Sequence, residues 1–337
     1  MMSRYLLLWL PLLAFSVECR SQSPLNELFA SDSLLHLRLV APMVEFLADR
    51  SDDAPDHPAS VFYVQGDTVR LDCEILVKGH FRRQKQNCEF PPMRIKFEKK
   101  DIPGTLFENH RKLKLVSHCT EEAYVLREYL AYRMLHLLTP YSFRVRLVRV
   151  SYEDIFGRTE PLEKFAFLIE DEEIMAERMG GQLIENQELG PDSTQREQTL
   201  LVALFQYMIG NTDWDIKIEK NIKLLQVASS EWPVVVPFDF DWSGWVDAPY
   251  TAPFMENFER RRFARICRTE EEFAAAFDLF LKLRPQFEAT INEFTWLDKR
   301  MRKDNLKYIQ EFYNAIGDEK IVRQKFYNTC PGNKTEE

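Results

Sequence analysis

The 337-residue chain carries 53 acidic against 44 basic residues, and its formal charge of −9 argues against generic binding to nucleic acid or anionic membranes. With 25 Phe, only 11 Gly and no internal repeat or low-complexity tract, it reads as a globular protein with a large core. Its length allows one large domain or two modest ones.

The chain opens with Arg4 and an apolar run over 5–15, then turns polar from Glu18. That pattern predicts a secretory signal peptide over 1–19, too short to span a bilayer, and no later run is long and apolar enough to do so. The mature protein is therefore expected to be exported: periplasmic, in the cell envelope or secreted. Cys73, Cys88, Cys119, Cys267 and Cys330 follow the leader. In an oxidising compartment some of them should pair. Cys88 and Cys119 flank one β-rich segment and are the favoured pair, and an odd number leaves at least one thiol free or intermolecular.

Residues 32–39 alternate as a strand, and 51–58 have the composition of a loop. From 60 to 117 the pattern is β, with strands predicted at 61–64, 71–77, 93–97 and 112–116. A helix over 121–138 follows, its apolar stripe made by Leu126, Leu130, Met134 and Leu137 and its end set by Thr139-Pro140. Strands at 143–150 and 165–169 complete a β-rich front half, residues 20–170.

Residues 171–337 are mainly helical. Thr194-x-x-Glu197 reads as a capping box, ahead of a helix that buries Leu201, Leu204, Phe205, Met208 and Ile209. A hairpin is expected from 222–225 and 234–238. Two long helices close the chain, the first capped by Thr269-x-x-Glu272 and the second running over 297–315 to Gly317.

Two polar segments between apolar runs carry the chemistry. Asn211-Thr212-Asp213 follows a helix end at Gly210, with Asn221 further on, and Asp239-Phe240-Asp241 follows a strand. Acids at the mouths of buried elements are costly unless they meet a cation, a base or a reaction. Asp213 is placed to deprotonate a hydroxyl and Asn221 to ligate a metal, or else Asn211-Thr212-Asp213 simply turns the chain. If the strand continues, Asp239 and Asp241 share one face and point at one metal, and Ca²⁺ without chemistry is equally open.

Lys78-Gly79-His80-Phe81-Arg82-Arg83 is followed by Arg94 and Lys96 on one strand face and by Lys112 and Lys114 on a neighbouring strand. A cationic sheet face opposite acids suits a nucleoside triphosphate with its metals, though any one lysine is equally a solvated strand residue. GxGxxG and GxxxxGK[ST] are absent, and no Ser-His-Asp or Cys-His arrangement is evident. Paired acids such as Asp213 and Asp239 also suit glycoside cleavage.

The order of these parts resembles the spore-coat-protein-H (CotH) kinase-like family. Lys78-Gly79-His80 and Arg94-Ile95-Lys96-Phe97 look like its front-lobe motifs, Leu126-Arg127 like its helix start, and Phe167-Leu168-Ile169-Glu170 like its entry to the hinge. Asn211-Thr212-Asp213, Asn221 and Asp239-Phe240-Asp241 look like its catalytic and metal segments. Asp213 and Asn221 are eight residues apart, and Lys220 stands where relatives often carry His. The resemblance implies an α+β, two-lobed protein-kinase-like fold with a β-rich N-lobe and a mainly helical C-lobe. It implies ATP with Mg²⁺ or Mn²⁺ and phosphate transfer to a protein substrate in the envelope or outside the cell. Asp213 would then be catalytic. Lys96, Arg94 and Glu170 would bind the nucleotide, and Asn221, Asp239 and Asp241 the metal. A catalytically inactive kinase-like binding protein of the envelope is the alternative.

Overall fold

The strands of the front half close on themselves. In a computed structural model, which describes residues 27–185, 187–251, 261–264 and 266–327, they form a barrel. Its elements are α1 (Glu27–Ala30), β1 (Leu35–Ala41), α2 (Met43–Ala48), β2 (His57–Gln65), β3 (Asp67–Val77), β4 (Met93–Phe97), β5 (Lys112–Val116), α3 (Glu122–Leu138), β6 (Val145–Asp154) and β7 (Leu162–Ile169). The strand order is β1-β2-β3-β4-β5-β7-β6, and β6 closes the barrel by pairing in parallel with β1, Leu35 opposite Val148. Alternation fills the interior: Leu37 and Leu39 of β1, Ile75 of β3, Ile95 and Phe97 of β4, and Leu113 and Leu115 of β5 are all buried in one cluster.

This barrel overturns the expected two-lobed, protein-kinase-like fold with its β-rich N-lobe and helical C-lobe. Period-two patterning located most of the strands but carries no information about partners. The parallel β1–β6 seam joins segments that nothing in the local pattern ties together.

The second half contains α4 (Glu172–Arg178), β8 (Gly181–Ile184), α5 (Arg196–Ile209), β9 (Ile222–Val227), β10 (Val234–Pro237), α6 (Glu270–Glu293), α7 (Lys299–Ile316) and α8 (Glu319–Lys325). Here β9 and β10 make the expected antiparallel hairpin, and β8 adds to its other edge. Helix α5 packs on β10, α6 and α7, so every residue from Gln198 to Ile209 is buried. It ends at Gly210, whose left-handed backbone (φ 64°) no other residue adopts as cheaply.

Its start departs from expectation. The Gln195 side chain caps the helix by accepting from Gln198 N–H, while the Thr194 hydroxyl turns to Pro191 O and Thr199. The capping box at Thr269 and Glu272 is present as predicted. On α3, Leu126, Leu130 and Met134 are buried but Leu137 is 38% exposed, because the buried face passes instead through Leu135 and Leu138.

Cys88 and Cys119 are disulfide-bonded, Cys73 is buried and free, and Cys267 is also disulfide-bonded. The predicted leader, 1–19, and Cys330 lie outside the described residues. Among the described residues no helix is long and apolar enough to cross a membrane.

Candidate active site

The antiparallel pairing of β4 with β5 sets Arg94 opposite Lys114 and Lys96 opposite Lys112. Like charges directly opposite each other destabilise a sheet unless anions lie close by. Arg94 finds Asp56 at 2.9 Å, Lys96 finds Glu74 at 2.5 Å, and Lys114 lies 3.7 Å from Asp239. Among the described residues Lys112 and Lys78 make no ion pair. Burial holds the Lys78 ammonium below the ordinary lysine range, and the nearby charges of Arg94, Arg83 and Lys112 lower it further.

Lys78, Arg94, Lys112 and Lys114 line one cleft of about 420 Å³, within the size range of ligand pockets. The acidic segment 170–173 and the apolar Phe143, Ile169 and Phe238 line it too. Of the expected nucleotide contacts, Arg94 is therefore in the cleft. Lys96 is not among the residues that line it and is held by Glu74. Glu170 lines it, yet the residue is only 2% exposed and its carboxylate is bonded to Arg178 and to Arg144 N–H.

Asp239 and Asp241 meet at a guanidinium. Arg82, in the turn after β3, places Nη2 2.9 Å from Asp239 Oδ1, Nε 3.2 Å from Asp241 Oδ2 and Nη1 3.4 Å from Glu128 Oε2 on α3. Strand β10 ends at Pro237, so the two acids do not share a strand face as expected. Asp239 instead takes a left-handed backbone (φ 60°), with its N–H donated to the Tyr132 hydroxyl at 2.9 Å. The Tyr250 hydroxyl donates to Asp241 Oδ2 at 2.8 Å.

Burial is the largest influence on all four charges, but it does not always win. It pushes Glu128 up to about 8 and Asp241 up to about 6, in both cases against the pull of Arg82. On Arg82 the three carboxylates outweigh burial and raise it, and on Asp239 the charges of Lys114 and Arg82 outweigh burial and lower it.

The Asp213 segment is built by turns. Asn211 Oδ1 accepts Asp213 N–H at 3.0 Å, which turns the chain just after α5. Asp215 and Lys220 then exchange backbone hydrogen bonds of 3.0 and 2.8 Å, closing a loop. That loop absorbs the eight-residue spacing and returns Asn221 to the side of Asp213. Asn221 Nδ2 donates to Asp213 O at 2.7 Å and to Oδ2 at 2.9 Å, while Lys220 pairs with Oδ1. Asn221 O accepts Phe238 N–H at 3.0 Å, tying this segment to a residue of the cleft. The segment after β10 is joined to the end of α5 as well, through Gly244 N–H to Gly210 O and Trp245 N–H to Ile209 O.

The structure thus brings Asp213 to Asn221, and Asp239 to Asp241, but not as a metal-ligand set. Asp241 is held by Arg82 and Tyr250, and Asp239 by Arg82 with Lys114 close by. Among the described residues no group of three or more His, Cys, Asp or Glu side chains is arranged to hold a metal ion. Asp239 and Asp241, held by Arg82, therefore do not fit the expected Mg²⁺ or Mn²⁺ in this arrangement, while the bonds of Asn221 to Asp213 use its amide nitrogen and not the oxygen that would ligate a metal.

Sequence reasoning missed the roles of Glu128, Tyr250, Arg82 and Lys220. Glu128 did leave a signal: a carboxylate directly before Tyr129, Leu130, Ala131 and Tyr132, all of them buried. A buried acid needs a cation, and the basic run Lys78–Arg83 supplies it through Arg82.

No protein-family model matches this chain, and no curated protein matches it. Among solved structures, it is similar to a Helicobacter pylori proinflammatory kinase, CtkA. That match has 11% identity and a TM-score of 0.34 over 72% of this chain and 94% of the other. At that score the two chains share too little geometry for residue correspondences to be drawn.

Proposed function

We propose that this chain is a phosphotransferase that holds ATP in the cleft and passes its terminal phosphoryl group to a hydroxyl of a protein. One observation carries the proposal. A cleft lined by Lys78 and Lys112, which lack counter-anions, is bonded through Phe238 to the segment that presents Asp213. Lys78 is half-buried and Lys112 exposed, and unpaired cations gathered at one cleft favour an anionic ligand, several together a polyphosphate.

In the proposed reaction the acceptor oxygen bonds to the γ-phosphorus as the bond to the β–γ bridging oxygen breaks, and ADP leaves. The hydroxyl proton passes to the Asp213 carboxylate, which Asn221 and Lys220 orient. Arg94, Lys112 and Lys114 take up the charge that grows on the departing diphosphate. Phe143, Ile169 and Phe238 supply apolar surface for the base. The Cys88–Cys119 disulfide supports an exported setting, with an acceptor protein in the envelope or outside the cell.

A second reading, nucleotide binding without transfer, is favoured by the resident Arg82 among the acids expected to hold metal. The test measures transfer of labelled terminal phosphate from ATP to acceptor proteins, with ATP binding followed by calorimetry. Transfer by the wild type that vanishes in Asp213→Asn, with binding kept, supports the first reading. Binding without transfer by the wild type supports the second, and absence of binding refutes both.

A further inference from the structure

The place in this molecule where a divalent cation would be sought already contains a cation. The Arg82 guanidinium contacts Asp239, Asp241 and Glu128 from three of its nitrogens, at 2.9, 3.2 and 3.4 Å. Its side chain is 7% exposed and that of Asp241 5%, so neither is free to swing into solvent without opening the packing. The partners come from α3 and from the turn after β10, whereas Arg82 follows β3. One side chain thus binds the barrel to the second half of the chain through charge.

This geometry is poor for a metal. Mg²⁺ draws its oxygen ligands to about 2.1 Å around a single point. A guanidinium spreads its acceptors around the rim of a planar fork, each about 3 Å from a different nitrogen. While Arg82 holds them, the carboxylates do not converge on a point, and an ion could draw them together only after displacing Arg82. Expelling it would leave a charged side chain with no partner inside the protein, which is costly. Lys114, 3.7 Å from Asp239 and lining the cleft, supplies a second fixed charge beside it.

We propose that Arg82 is the resident cation of the Asp239–Asp241 site, so that the cleft takes a nucleoside triphosphate without a divalent ion between these acids. The idea rests on the nucleotide reading of the cleft for its ligand, but its first test does not need the nucleotide. Arg82 is here a positioning residue. It holds Asp239 in its left-handed turn and so fixes the partner of Lys114.

The test is a titration of Mn²⁺ into the full protein without nucleotide, followed by the electron paramagnetic resonance signal of the free ion. The wild type is expected to leave that signal unchanged. Arg82→Met, checked for folding by circular dichroism, is expected to bind Mn²⁺ through the acids it uncovers. Mn²⁺ binding by the wild type that disappears in Asp241→Asn would overturn the proposal, whether or not Arg82→Met folds. A second arm measures ATP binding in EDTA and in Mg²⁺. Equal affinities support a resident guanidinium, and binding that requires Mg²⁺ and is lost in Asp241→Asn overturns it. If ATP binds in neither condition the nucleotide reading fails, while the Mn²⁺ titration still decides which cation the acids hold.

Discussion

The Asn221 amide nitrogen bonds both the main-chain oxygen of Asp213, at 2.7 Å, and its carboxylate, at 2.9 Å. These two contacts fix where the carboxylate points relative to the segment that carries it. Asn221→Gly removes both while keeping the left-handed backbone (φ 51°) that position 221 adopts. Misplacing a reacting group by about 1 Å costs on the order of 100-fold in rate, so phosphate transfer should fall by about that factor. ATP affinity should be unchanged in a calorimetric titration, and stability should fall by about 1 kcal/mol.

Arg82 and Glu128 should respond unequally to substitution. Removing one partner of a buried ion pair typically costs about 3–5 kcal/mol, because the other charge stays buried. Arg82→Met leaves Asp241 and Asp239 without their shared partner and should cost in that range by urea unfolding. Burial pushes Glu128 up to about 8, so near neutral pH it already carries a proton much of the time. Glu128→Gln reproduces that neutral form in shape and should cost no more than about 1 kcal/mol. Equal losses in the two variants would show that Glu128 is ionised and fully paired.

A buried histidine, His118, and a half-buried one, His136, predict sensitivity to acid. Burial pulls both His118 and His136 from 6.5 to about 4, and for His136 the hydrogen bond to Phe143 O opposes this only in part. The folded value is the lower one, so the unfolded chain takes up protons first as the pH falls. Their stabilising contribution is complete above pH 6.5 and is lost as the pH drops from there through about 4. Each accounts for at most about 3 kcal/mol over that range. Unfolding free energies measured at pH 7 and pH 4.5 should differ less in His118→Phe than in the wild type. An unchanged difference would mean that His118 does not titrate with folding.

The Cys88–Cys119 bridge spans 31 residues of sequence and ties the segment before β4 to the entry of α3. Chain-entropy estimates give such a cross-link about 3–4 kcal/mol. The double variant Cys88→Ala, Cys119→Ala should lose about that much stability in urea. Because both sites are buried near Phe90 and not in the cleft, ATP affinity should be retained.

Local elements were legible in the sequence where one physical signal dominated. Strands β4 and β5 fall at the predicted residues, because Arg94, Lys96, Lys112 and Lys114 alternate cleanly with buried apolar partners. Helix α7 starts two residues later than predicted, after Asp298 caps it, and the hairpin of β9 with β10 is as expected. The barrel was not legible, since closure depends on β1 pairing with β6 across more than a hundred residues. Helix α2, helix α4 and strand β8 were missed, being too short to build a period.

At the candidate site, Asp213, Asp239 and Asp241 were legible as acids, and Asn221 as an amide, beside buried elements. Their partners were not. Lys220 returns to Asp213 only because a loop closes between Asp215 and Lys220, and Arg82 reaches Asp239 across 157 residues. Charge pairing at that separation has no local pattern to betray it.

The central claim, that the basic cleft is a nucleotide site, is tested most directly by calorimetric titration of ATP into three proteins. These are the wild type, Lys114→Met and Lys96→Met. Lys114 lines the cleft, whereas Lys96 is held by Glu74 and is not among the residues that line it. Losing one charged hydrogen bond to phosphate costs about 1.5–3 kcal/mol, so Lys114→Met should bind ATP at least about tenfold more weakly. Lys96→Met should bind like the wild type. No binding by the wild type, or a loss in Lys96→Met as large as that in Lys114→Met, would contradict the claim.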